Sequence, residues 1–412
     1  MHPIIFPSAN MAEHLRRLLD CIIISDIERI CAHSEAHHRS LVNCFDYLKM
    51  NAEQGDRYAI GAPLYYWLSN APQHFKHDAL VPYIDKLIEL MVGQLIITIK
   101  PDEQINLAIP HAISHIPQAD YVFSVPVYEL SIGYELLILH CIDGRSYQVN
   151  TADIRQLIDI RKANTNKVEK TDIIIHSHSS VLNEYLAELD GIASKPINNA
   201  ENLHIRMPHE PEVDVLKDGL KNGVELIIKS GQERFDEVNV LMDAIALLSG
   251  DRFVGGSDIA YHGVAFLNLD LQWSKYTFAD HLIHESAHIL LHTANEVSPV
   301  LKNPDFYGAP SPIRKDPRPM IGILHSTFVF MRLVMFFKHQ VQFSKEDEVY
   351  FRLHRHLLGF IEGMDSLSKY ASFTEEGQAL YAGMCHVLDW FKRTLPEPDP
   401  AYYKRVGNDY VV

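Results

Sequence analysis

Apolar and polar positions recur along this chain with two different periods, and the period changes partway along. From about residue 8 to residue 99 apolar residues return every three or four positions, as in MAEHLRRLLDCIIISDIERICAHSE, which predicts helices. Ser8 is placed to cap the first of them, and residues 83–99 form another behind Pro82. From about residue 121 the runs are those of strands: YVFSVPVYEL, then GYELLILHCIDGRSYQVN with a turn at Asp143-Gly144, then DIIIHSH at residues 172–178. A helical stretch at residues 235–249 leads into strand-like FVGGSDIAYHGVAFLNL. Helices follow in HLIHESAHILLH and at residues 320–340, 344–370 and 374–394, with Ser344 and Asp347 as a capping pair for the third. Six prolines between residues 298 and 319, interleaved with charged and aromatic side chains, predict an ordered loop. The expected architecture is α+β and mainly helical, in three regions. Residues 1–120 are helical, 121–250 mixed with strands, and 251–412 a helical metal-binding region.

Composition narrows the class. Hydrophobic residues make up 47% of the 412 positions and charged ones 22%, enough to bury a sizeable core without staples. The run MIGILHSTFVFMRLVMFF is long enough to raise the question of a membrane span, but His325 and Arg332 interrupt it and Lys338-His339-Gln340 ends it, so a core helix is predicted. With 53 acidic against 37 basic residues the net charge is -16, a field that repels phosphate and anionic lipid. Neither nucleic acid nor a membrane surface is the expected partner. Cys21, Cys31, Cys44, Cys141 and Cys385 are scattered, odd in number and without a C-x-x-C pair, which fits a reducing compartment and offers no thiolate metal site. The opening residues lack a basic region, apolar stretch and cleavage site in succession, so a cytoplasmic location is expected. Oligomeric state is not legible.

The chemistry lies in the histidines. Most of the 24, such as those of HSEAHH at residues 33–38, read as solvated surface groups. His284-Glu285-Ser286-Ala287-His288 is different: on a helix, a four-residue spacing stacks both imidazoles on one face, able to share a cation, with Glu285 beside them. Two helix ligands do not make a stable site, so a third must come from elsewhere. His325 is the leading candidate, because an imidazole inside an apolar helix costs free energy unless it finds a partner. The plainer alternative is a core histidine bonded to a backbone carbonyl. His281 and His292 continue the spacing and read as flanking residues, and Glu296 and Glu362 are the weaker carboxylate substitutes. Between the helix and His325 runs PIRKDPRP, where Arg314 and Arg318 offer forks able to take a carboxylate by two hydrogen bonds. The alternative there is a solvated loop of Arg–Asp pairs.

These residues together resemble a family. His284, Glu285 and His288, then Arg314, Asp316, Pro317, Arg318 and Pro319, then Gly322, Leu324 and His325, match the pattern of the HExxH-type peptide-modification proteins over about residues 263–337. The family's usual Trp before the first Arg and Pro after it are Ile313 and Lys315 here. The resemblance implies a 2-oxoglutarate-dependent hydroxylase acting on Cβ of a residue in a ribosomally made precursor peptide. It implies Fe(II) on His284, His288 and His325, with 2-oxoglutarate taking two open positions and O2 the last. Arg318 or Arg314 would hold the far carboxylate, and Glu285 would orient a ligand or water. Two other readings stand beside it. One is a zinc peptidase in which Glu285 is the general base, against which stands the lack of an H-x-x-G-x-x-H extension after His288. The other is a non-catalytic peptide-binding scaffold.

Overall fold

The structure is a computed structural model that describes residues 2–31, 92, 95–96, 99–116, 121–164, 166–176, 210–248, 255–257, 262–268, 272–312 and 318–396. Most of the expected helix at 83–99, together with Arg314, lies outside these residues.

Helix α1, Ala9–Cys31, starts where expected: Ser8 Oγ accepts from the Met11 N–H and its carbonyl from the Ala12 N–H. Four antiparallel strands then form a meander in the order β1-β2-β3-β4: β1 Gln104–Ile116, β2 Tyr121–Gly133, β3 Leu136–Cys141 and β4 Ser146–Asn150. The first strand falls inside the stretch expected to be helical. Ile105 and Leu107 alternate inward, and Pro110 sits within an irregular register between Ala108 and Ile113, where its missing N–H breaks no regular ladder. Gly144 takes the positive φ that the β3–β4 turn requires. Helix α2, Thr151–Asn164, follows directly.

A second sheet has the order β5-β6-β7-β9-β8, from Asn166–Lys167, Ile174–His176, Ala244–Leu248, Val264–Asn268 and Gly255–Ser257 respectively. Strands β6, β7 and β9 are parallel, and β8 runs antiparallel along one edge. Helix α3, Glu210–Lys229, and α4, Gln232–Leu241, precede β7. The helix expected over 235–249 therefore ends at Leu241, and AIALL is a strand. It lies mid-sheet with Ala244 to Leu247 all buried, so both faces are apolar and the alternation that marks a strand is absent.

The rest is helical: α5 Lys275–Val297, α6 Met320–Gln340, α7 Asp347–Tyr370 and α8 Glu375–Thr394. Ser274 caps α5 and Thr374 caps α8, each accepting from the N–H three residues on. Ser344 does not cap α7; its hydroxyl accepts from Glu346 N–H and the helix begins later, at Asp347. Helix α5 packs on α3, α1 and α6, and touches β8 and β9. Helix α6 is the one element among the described residues long and apolar enough to cross a membrane, and it is buried in this core, with Phe328, Val329, Leu333 and Phe336 fully covered. The mixed, mainly helical α+β architecture is the one expected.

Candidate metal centre

The site forms where α5 and α6 cross. His284, Glu285, His288 and His292 project from successive turns of α5, and His325 comes from the second turn of α6. Helix α5 is held at its start by charge as well as by its cap. Arg352 of α7 donates to Asp280 Oδ2 at 2.9 Å and to Glu348 at 2.8 Å, and His356 Nε2 lies 2.7 Å from the same Asp280 oxygen. Burial opposes ionisation of Asp280, yet His356 and Arg352 outweigh it and hold the carboxyl well below its ordinary range. Burial lowers His356 as well, against the pull of Asp280. One turn later along α5 comes His284.

The contacts among the histidines are specific to ring nitrogens. His288 Nε2 lies 3.2 Å from His284 Nε2, and His288 Nδ1 lies 3.1 Å from His325 Nδ1. The His292 ring lies tilted against that of His325, ring centres 4.1 Å apart, and coordinating atoms of His288, His292 and His325 all lie within 4.8 Å of one another. Burial lowers the pKa of His288 well below the usual value, and neighbouring His284, His325 and His292 lower it further; burial and His292 do the same for His325. Both rings are therefore neutral at neutral pH, the form that binds metals.

Glu285 is buried against the edge strand. A Cβ at Gly255 would come within 3.2 Å of Glu285 Oε1, so glycine at that position makes room for the carboxyl. Burial pushes Glu285 up to about 8, partly offset by the Ser257 hydroxyl, which does not close a well-shaped hydrogen bond on it. Among the described residues the buried Glu285 Oε2 and His325 Nε2 find no hydrogen-bond partner, a cost the fold carries where a bound group would relieve it.

Arg318 stands just before α6. Its turn is held by the preceding loop: Met320 and Ile321 donate their N–H groups to the carbonyls of Phe306 and Pro304, at 2.9 and 3.0 Å. Its charge is felt at His288, where it disfavours the protonated ring. His281 instead stacks on Trp273, ring centres 4.4 Å apart and nearly parallel, and Glu296 is exposed.

Of the residues singled out from sequence, His284, His288 and His325 meet at the helix crossing, Glu285 faces the edge strand at Gly255, and Arg318 acts on His288 through its charge. His284 and His325 address opposite nitrogens of His288. His292, expected to flank, joins the cluster; the continued four-residue spacing was its signal. Gly255 and Ser257 carry no such signal. The donor set fits a metal ion that prefers nitrogen: among the described residues it is a group of imidazoles, those of His288 and His325 neutral, with no thiolate. No family model matches the chain, and no curated protein matches it.

Proposed function

We propose that the chain is a metalloenzyme that uses Fe(II), 2-oxoglutarate and O2 to hydroxylate Cβ of a residue in a ribosomally made precursor peptide. The observation that carries this reading is the meeting of His288 and His325 from two helices, with the charge of Arg318 felt at His288. Fe(II) with 2-oxoglutarate would activate O2, the oxidant for both the decarboxylation of 2-oxoglutarate to succinate and the C–H hydroxylation, at a site where three protein nitrogens leave three of six positions open. The neutral imidazoles hold the ion without adding charge. Arg318 offers the far carboxylate of the co-substrate a fork, a charge-assisted contact worth about 1.5–3 kcal/mol. Glu285, protonated at neutral pH by its burial, donates a hydrogen bond that orients a group bound beside it.

A zinc peptidase is the second reading: a bound cation beside Glu285 would favour its ionised form, and a carboxylate brought near neutral in this way can act as general base. One experiment separates the two. Protein reconstituted anaerobically with Fe(II) and 2-oxoglutarate should show a visible charge-transfer band. With O2 and a peptide pool it should form succinate and add one oxygen atom to a peptide. Arg318→Lys keeps the charge but loses the fork, and should raise the 2-oxoglutarate concentration for half-maximal turnover by about tenfold. Peptide cleavage by the zinc form without O2 or 2-oxoglutarate would establish the peptidase instead.

A further inference from the structure

We infer that the ion is held by His288 through Nδ1, with His292 and His325, and that His284 is the hydrogen-bond partner of His288 rather than a ligand. This rests on the metalloenzyme reading and deepens it.

A neutral imidazole has one lone pair and one N–H, so His288 can bind an ion through only one nitrogen while the other donates a proton. Nitrogens bound to one ion at about 2.0–2.1 Å are separated by about 3.0 Å where the ion is octahedral and about 3.3 Å where it is tetrahedral. Both His288 contacts, 3.2 Å to His284 and 3.1 Å to His325, match that spacing, but they lie on opposite nitrogens of the ring. One ion therefore cannot use both pairs as they stand.

Donor count decides between the sides. On the Nε2 side His284 is the second donor found among the described residues, and two ligands leave an ion weakly held. On the Nδ1 side lies His325, and His292 completes a group whose coordinating atoms all fall within 4.8 Å. That limit is wider than the spacing around an ion, so the His292 and His325 rings must rotate inward to close on one. With Nδ1 bound, the Nε2–H of His288 points at His284 Nε2, which accepts it and fixes the tautomer and tilt of the ring. The four-residue repeat of α5 thus shifts by one turn: His288 and His292 are the helix ligands, and His284 orients His288.

The test is metal affinity of the full chain, read by anaerobic Co(II) titration through its visible absorption. His288→Ala, His292→Ala and His325→Ala should each weaken binding by about a hundredfold or more. His284→Ala, which removes only the orienting partner, should weaken it at least tenfold less than His292→Ala does. An equal or greater loss in His284→Ala overturns the assignment. Absence of binding by the parent chain overturns the metalloenzyme reading along with it. Circular dichroism melts of the metal-free variants check folding, and His292→Gln replaces His292→Ala if the latter unfolds. Independently, nitrogen NMR of the histidines in the zinc form should find His288 bound at Nδ1 and protonated at Nε2; the reverse refutes the inference.

Discussion

Glu285 couples the site to the stability of the metal-free protein. Its carboxyl is buried, and burial lifts its pKa to about 8 from an ordinary value of 4.5. Between those values the unfolded chain has lost the proton that the folded chain retains, so stability falls as pH rises through this window and is unaffected by this group below it. The slope from one such carboxyl is at most about 1.4 kcal/mol per pH unit. Glu285→Gln cannot ionise, so the difference in urea midpoint between parent and variant should move in favour of the variant from pH 5 to pH 8 without metal. A difference independent of pH would show that Glu285 ionises in the folded state as freely as in water. The same residue illustrates what is legible at this scale. The H-E-x-x-H spacing singles out His284, Glu285 and His288, but which nitrogen of His288 meets which neighbour depends on how α5 crosses α6. That crossing is set by side chains far from the motif in sequence.

Among elements, close helix approach is written in glycines. A Cβ at Gly363 of α7 would fall 2.9 Å from both Cβ and Cγ2 of Thr327 on α6. Alanine there gains about 1 kcal/mol of helix propensity and loses about 1–3 kcal/mol to overpacking. Because Cβ of Thr327 is tied to its backbone and cannot swing away, the loss wins: Gly363→Ala should lower the urea midpoint. Adding Thr327→Ala removes the γ atoms and should recover part of the loss. If the double variant is no better than the single, the strain lies elsewhere in the α6–α7 contact. Gly219 and Gly223 show why part of the fold was not legible. Within α3 they look like breakers, yet Gly223 lies against Ala279 of α5, where a Cβ would come within 2.9 Å of its backbone nitrogen. Periodicity alone therefore leaves 210–229 unmarked. Strand β7 escapes for the opposite reason: its alanines and leucines favour helix, and burial on both faces erases alternation. Helices α5, α6 and α8 were legible because their long apolar periodicity points to one answer.

Across the whole molecule, the two ends of the described chain share one core, which the division into three regions does not anticipate. Ile4 and Ile5 belong to one buried cluster with residues of α3, α5 and α6. Arg332, two turns beyond His325 on α6, donates to the carbonyls of Ile4 and Ile5 and pairs with Glu237 of α4, while the Ser8 N–H donates to Glu237 at 2.9 Å. Both charged side chains are almost fully covered, so each is tolerable only with the other. Removing one partner strands a buried charge, at a cost of about 3–5 kcal/mol, whereas removing both leaves only unpaired neutral groups at about 1–3 kcal/mol each. Glu237→Gln and Arg332→Met should therefore each destabilise strongly, and the double variant should lose at least about 2 kcal/mol less than the sum of the two. The same cycle measured by metal binding tells whether the pair also holds the site: His325 rides on α6, so loosening its far end should weaken Co(II) affinity in the singles and recover partly in the double. Additive losses in urea would mean that the N-terminal segment, and not the ion pair, joins α4 to α6.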